Sequence, residues 1–166
     1  MILIAIGANL PHPLHGTPRA TCESAIIALK RPNIAKIECS RWYESAPIPA
    51  SDQPWYVNGV ARLWTDLDAT QLMTLLHEVE AEFGRTRGLA NAARVLDLDL
   101  LAYGQTVSKP GDWPVLPHPR LAERAFVLLP LAELAPDWRH PTLGRTAREL
   151  AAALPGDQPI RPLERA

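Results

Sequence analysis

Cysteine is nearly absent: the 166 residues hold two, Cys22 and Cys39, on different predicted elements and without metal-ligand spacing. That sets aside a disulfide framework and a thiolate metal site, and both thiols read as buried side chains in a reducing cytosol. Also missing is any run of the ~18 apolar residues that a membrane-spanning helix requires. The start, MILIAIGANL, carries no basic segment and meets Gly7 and Asn9 early, so it reads as neither signal peptide nor anchor. Nor does one charge dominate. Lys and Arg number 17, Asp and Glu 18, for a net charge of −1, and a chain without a global field has no general attraction to nucleic acid or an anionic membrane. Any anion site must be local. There is no internal repeat and no linker. The length suits one domain over 1–166 with enough chain for a core, ending in a loose tail from 155. The 17 prolines and 9 glycines stay below a disordered composition and fall mostly between periodic segments, where they shape loops. The expectation is a soluble, cytoplasmic monomer.

What is present is a regular succession of elements. Residues 2–6, ILIAI, suit a central strand. Thr17-Pro18 supplies an N-cap and a first-turn proline for a helix to about Lys30, with Cys22, Ala25, Ile26 and Leu29 inward. A strand over 34–44 leads into a stiff, proline-rich loop over 45–54, and a third strand covers 55–64. Asp66 or Asp68 caps a second helix reaching Phe83, with Leu72, Leu75, Leu76, Val79 and Phe83 on its apolar stripe and Gly84 closing it. A fourth strand spans 95–103. The order strand-helix-strand-strand-helix-strand is the split βαβ, ferredoxin-like plan of an α+β protein, a four-stranded antiparallel sheet. Beyond Gly104 the spacing predicts a helix over 121–134, kinked or split at Pro130, and a last helix opened by the capping box Thr146-Ala147-Arg148-Glu149. These C-terminal helices would cover the other face of the sheet and complete an α/β/α sandwich.

The stretch 84–103, GRTRGLANAARVLDLDLLAY, concentrates the chemistry. Its first half offers Arg85, Arg87 and Arg94, and guanidinium groups bind phosphate bidentately while keeping their charge. In its second half Leu96, Leu98 and Leu100 alternate with Asp97 and Asp99. Two residues of strand span ~6.6 Å, so both carboxylates point the same way. Such a pair suits Mg²⁺, which takes a few hard oxygens together with substrate phosphate. A polar face on a half-buried strand gives the same pattern without any metal, although Asp is disfavoured in strands and two like charges repel. The loop has little apolar area to pin it, and its arginines have no acidic partner within it, so bound phosphates are expected to order residues 84–94.

The run Arg94-Val95-Leu96-Asp97-Leu98-Asp99-Leu100-Leu101 resembles the signature of the 6-hydroxymethyl-7,8-dihydropterin pyrophosphokinase family of folate biosynthesis. The resemblance extends through Ile6-Gly7-Ala8-Asn9-Leu10, Asp52-Gln53-Pro54-Trp55-Tyr56-Val57-Asn58, Glu80 with Phe83-Gly84-Arg85, Leu116-Pro117-His118-Pro119-Arg120, and Glu123-Arg124-Ala125-Phe126-Val127-Leu128-Leu129-Pro130-Leu131. It implies an ATP-dependent transfer of pyrophosphate to the hydroxymethyl oxygen of the pterin, leaving AMP. Asp97 and Asp99 would then hold two Mg²⁺ ions, while Arg85 and Arg94 act in catalysis by clamping phosphate oxygens. Glu80, Arg87, His118 and Arg124 would complete the ATP site. For the pterin the resemblance implies rings at Tyr56 and Phe126, the amide of Asn58 at the heterocycle edge, and the segment from Ser45 to Ile48 beside it. Taken alone, Tyr56 also suits ordinary strand packing and Phe126 ordinary helix core. No side-chain base is implied. The departures are Asn91-Ala92-Ala93, where the family commonly shows Trp-Gly-Pro, and His77, where an amide side chain is expected. His77 and Glu80 lie three residues apart on a helix, but no second histidine stands at zinc-protease spacing.

Two other readings compete. A non-catalytic ferredoxin-like module for RNA or a small effector should show exposed aromatics on strands within a basic face, whereas the strands here offer acids. Against a Mg²⁺-dependent transferase acting on another acceptor, the family resemblance gives Tyr56, Asn58 and Phe126 a joint use.

Overall fold

The first strand, β1 (Ile2–Ala8), runs through the centre of the molecule because nearly every one of its side chains is apolar and both its edges are paired. Residues 1–85, 90 and 92–164 are described in the computed structural model of the chain. Helix α1 (Pro18–Ala28) begins where Thr17 Oγ1 accepts the Ala20 N–H, with Pro18 in the first turn, where a missing N–H costs nothing. Its inward residues Cys22 and Ala25, and Leu29 just past its end, are fully buried.

The single strand expected over 34–44 is two strands, β2 (Ile34–Cys39) and β3 (Tyr43–Ser45), both paired antiparallel with β4 (Tyr56–Thr65). Cys39 faces Ala61 and Tyr43 faces Asn58, so three residues on one side oppose two on the other, as at a bulge. The Trp42 ring lies on Gly59, where a Cβ would come within 2.7 Å of it. An aromatic side chain that needs a glycine under it thus breaks the strand, a long-range requirement that local alternation does not express.

Helix α2 (Ala69–Glu82) opens with a reciprocal capping box between Asp68 and Gln71. It buries Leu72, Leu75, Leu76 and Val79, and closes at Phe83 and Gly84, the latter at φ +80°. Strand β5 (Asp97–Tyr103) pairs antiparallel with β1. Its register slips by one residue between Leu3 and Ile4, leaving Leu101 as the extra residue. The slip lets Leu98 and Leu100 enter one core while Leu101 and Ala102 enter the other.

After a 3-10 turn at Leu121–Glu123, helix α3 (Ala125–Leu134) continues unbroken past Pro130. The break expected at Pro130 lies instead at Arg124, whose backbone is extended at φ −104° and ψ 115°. Helix α4 (Ala147–Ala152) carries the expected Thr146–Glu149 capping box. The tail, expected to be loose, contributes a short strand β6 (Ile160–Pro162) paired with β3.

The sheet runs β5-β1-β4-β3-β6 with β2 also on β4, and every pairing is antiparallel. Helices α1 and α2 cover one face over a core of Ile4, Ile6, Leu29, Leu72, Leu76 and Leu98. Helices α3 and α4 cover the other over Leu3, Val60, Leu101, Leu128, Leu131 and Trp138. This is the expected ferredoxin-like sandwich with its added C-terminal layer. Among the described residues no helix is long and apolar enough to cross a membrane.

Candidate active site

Gly7 stands at the centre of the site. On one side it faces Asn58 of β4, on the other Asp97 of β5. A Cβ at Gly7 would lie 3.0 Å from Asn58 Oδ1, so the glycine leaves room for the amide to lean across β1. One strand spacing is ~4.8 Å, which puts Asn58 and Asp97 about 10 Å apart across a floor that carries no side chain.

Around this floor is a cavity of about 160 Å³. It is lined by Ser45, Ile48, Tyr56, Asn58 and Phe126 of the expected pterin set, and by Arg94, Asp97, Asp99, His118 and Arg124 of the expected phosphate set. Asn58 is buried and donates through Nδ2 to Ser45 Oγ at 2.7 Å. The Tyr56 hydroxyl donates to Ala92 O at 3.3 Å. Burial raises the Tyr56 pKa, so this hydroxyl keeps its proton near neutrality. The Arg124 guanidinium lies 5.3 Å from the centre of the Phe126 ring, within reach of a cation–π contact.

The charged groups meet at Asp97. Its Oδ1 accepts from Arg94 at 2.7 Å and from Arg85 at 2.8 Å. Arg85 also pairs with Glu80, which is 4% exposed and accepts the Leu98 N–H at 2.7 Å. The two arginines therefore do have acidic partners. These come from β5 and α2, outside the loop, where sequence spacing could not reveal them. Burial pushes the Glu80 carboxyl up to about 7, against the opposing pull of the Leu98 N–H and Arg85. Glu80 and Arg85 are not among the residues lining the cavity; they stand behind Asp97 and orient it.

Asp99 is raised by burial first and by the Asp97 charge second. Two carboxylates on one strand face, one of them destabilised in its charged form, make a donor set that fits a hard divalent cation. Among the described residues no group of three or more His, Cys, Asp or Glu could hold a metal. His118 is lowered by burial and then by Arg124 and Arg120, so its ring is neutral near pH 7. Its Nδ1 accepts the Arg120 N–H at 3.2 Å, which leaves the proton on Nε2.

Arg87 lies outside the described residues, as does Asn91 at the head of the substituted triplet. His77 approaches Trp113, with ring centres 5.9 Å apart.

Asn9 has a part that the sequence did not reveal. It is 1% exposed; its Oδ1 accepts the Arg94 N–H at 2.8 Å, and its Nδ2 donates to Gln53 Oε1 and Pro54 O, both at 3.1 Å. One amide thus ties the proline-rich loop to the end of the basic loop. Its sequence signal was its place in the run Ile6-Gly7-Ala8-Asn9-Leu10, which gave it no partner.

Comparison with known proteins gives the family. The family model described as 7,8-dihydro-6-hydroxymethylpterin-pyrophosphokinase matches residues 3–136. The 2-amino-4-hydroxy-6-hydroxymethyldihydropteridine pyrophosphokinase of Pseudomonas aeruginosa is 42% identical over 157 residues, covering 93% of this chain and 91% of the relative. The protein of the same name from Synechocystis is 36% identical over 148 residues, covering 89% and 73%. Among solved structures, an HPPK-DHPS triple mutant of Plasmodium falciparum superposes with a TM-score of 0.68 at 13% identity. That match covers 91% of this chain and 43% of the larger one, and at such identity it speaks for the fold alone. The chain belongs to the 7,8-dihydro-6-hydroxymethylpterin-pyrophosphokinase family.

Proposed function

We infer that this chain transfers the pyrophosphoryl group of ATP to the hydroxyl of 6-hydroxymethyl-7,8-dihydropterin, giving the pterin diphosphate and AMP for folate biosynthesis. One observation carries the reading. The amide of Asn58 and the carboxylate of Asp97 flank the bare floor at Gly7, so an edge-recognition group and a phosphate-handling group share one cavity.

In this reading the flat pterin sits against Tyr56 and Phe126, and its amide edge meets Asn58, which offers both a donor and an acceptor. Ser45 holds the Asn58 amide in place, with Ile48 alongside. Asp97 and Asp99 would hold Mg²⁺, which supplies charge neutralisation at the phosphate oxygens when bound. Arg85 and Arg94 change partners: guanidinium donors now on Asp97 turn to the phosphates, and Glu80 keeps Arg85 close throughout. Arg124 adds a cation whose burial sharpens its attraction for an anion. His118, neutral with a proton on Nε2, donates a hydrogen bond. Arg87 joins this set by family resemblance. The substrate hydroxyl is the nucleophile and needs no side-chain base, because catalysis here is positioning and charge stabilisation.

The test is product identity. Purified protein with ATP, the hydroxymethyl dihydropterin and Mg²⁺ is expected to form AMP and the pterin diphosphate in equal amounts, with no product once Mg²⁺ is chelated. Formation of ADP, or AMP without pterin diphosphate, contradicts the assignment.

A further inference from the structure

The last nine described residues lie outside the family-model match at 3–136, yet they touch both walls of the cavity. Strand β6 pairs with β3, with Ile160 opposite Ser45, and Ala46 N donates to Pro159 O at 3.0 Å. Two residues earlier on the strap, the side chain of Gln158 crosses to the start of α3. Its Oε1 accepts the Ala125 N–H at 2.9 Å, and its Nε2 donates to Glu123 O at 2.8 Å. Those are the two peptide groups on either side of Arg124. The N-cap position of α3 is Arg124 itself, which supplies no capping bond from its side chain. That side chain lies over Phe126 and lines the cavity. A helix whose first residue is committed to the cavity needs its N–H groups satisfied from elsewhere, and Gln158 provides one such partner.

We propose that Gln158 is a positioning residue for the transfer reaction: by gripping both peptides of Arg124 it aims Arg124 and Phe126 into the cavity, and β6 locks that wall to the Ser45 wall. The inference rests on the preceding reading of Phe126 as a pterin contact. Gln158 touches no substrate and acts only through the backbone of residues 123–125. Because the Gln158 side chain is only half-buried, its loss leaves the cores intact.

The experiment compares Gln158→Ala, Gln158→Glu and Phe126→Ala with the parent protein. Dissociation constants for the pterin, measured by calorimetry with a non-hydrolysable ATP analogue and Mg²⁺ present, are taken at a temperature where melting curves show every variant folded. Gln158→Ala is expected to weaken pterin binding roughly three- to tenfold, the scale of one or two hydrogen bonds. Gln158→Glu keeps the acceptor for Ala125 N–H and places negative charge at a helix N-terminus, but loses the donor to Glu123 O, so it is expected to recover part of that loss. A merely structural role cannot produce this pair of results among folded variants. If Phe126→Ala weakens binding and Gln158→Ala does not, the positioning role is overturned while the site stands. If neither weakens it, the reading of the site itself fails.

Discussion

Asp97 and Asp99 show how a residue's environment can be tuned at a cost to the empty protein. Asp97 is compensated by Arg85 and Arg94, whereas Asp99 is raised by burial and by its neighbour's charge. A carboxylate destabilised in its charged form weakens the fold near neutrality unless a cation joins it. Asp99→Asn is therefore expected to melt at a higher temperature than the parent without Mg²⁺. The same substitution, like Asp97→Asn, should lower turnover by about a hundredfold or more, the scale of losing a charge-stabilising group. Melting curves in chelator and steady-state rates in Mg²⁺ check both halves. A lower melting point together with near-normal turnover would remove Asp99 from the metal seat. The alternation of leucine and aspartate made these two acids legible in sequence. Asn9 was not legible in the same way, because its meaning lies in Gln53, Pro54 and Arg94, partners over 40 residues away in the chain.

Among elements, those governed by local rules were readable. Caps at Thr17, Asp68 and Thr146 fixed three helix starts, and the stripe on α2 fixed its inward face. Elements governed by distant contacts were misjudged: the break between β2 and β3 depends on Trp42 meeting Gly59, and β6 depends on the free edge of β3. The joint between β3 and α3 has a titratable link. Burial favours the neutral form of Glu133, but the Arg41 N–H, the Arg41 guanidinium and the Tyr43 hydroxyl outweigh it and hold the carboxyl below its ordinary value. A lowered acid pKa gives stability that is complete above the unfolded value, ~4.3, and is lost as pH falls through the folded one. Glu133→Gln is thus expected to be less stable than the parent at pH 7, with the gap narrowing as pH falls below the unfolded value. Urea unfolding at pH 7 and near pH 3.5 is the check. A gap that stays constant with pH would mean the carboxylate charge contributes nothing.

At the scale of the whole molecule, the sheet does the positioning. The centre of β1 is hidden by two cores, and its end at Gly7 brings β4 and β5 together as a floor. Sequence carried the fold plan and most of the cavity's residues, since six separate motifs fell in order along one chain. It did not carry the pairing of Arg85 and Arg94 with Asp97, nor the reach of the C-terminal strap, because both arise only when the sheet closes. The central claim is that one cavity is divided between a flat heterocycle recognised at Asn58 and a phosphate chain handled around Asp97. Calorimetric titration of Asn58→Ala with each ligand tests that division most directly. Pterin affinity is expected to fall roughly tenfold or more, as for a lost pair of buried hydrogen bonds, while affinity for Mg²⁺ with a non-hydrolysable ATP analogue stays within about twofold. Equal loss for both ligands in a folded variant, or none for the pterin, would contradict the account.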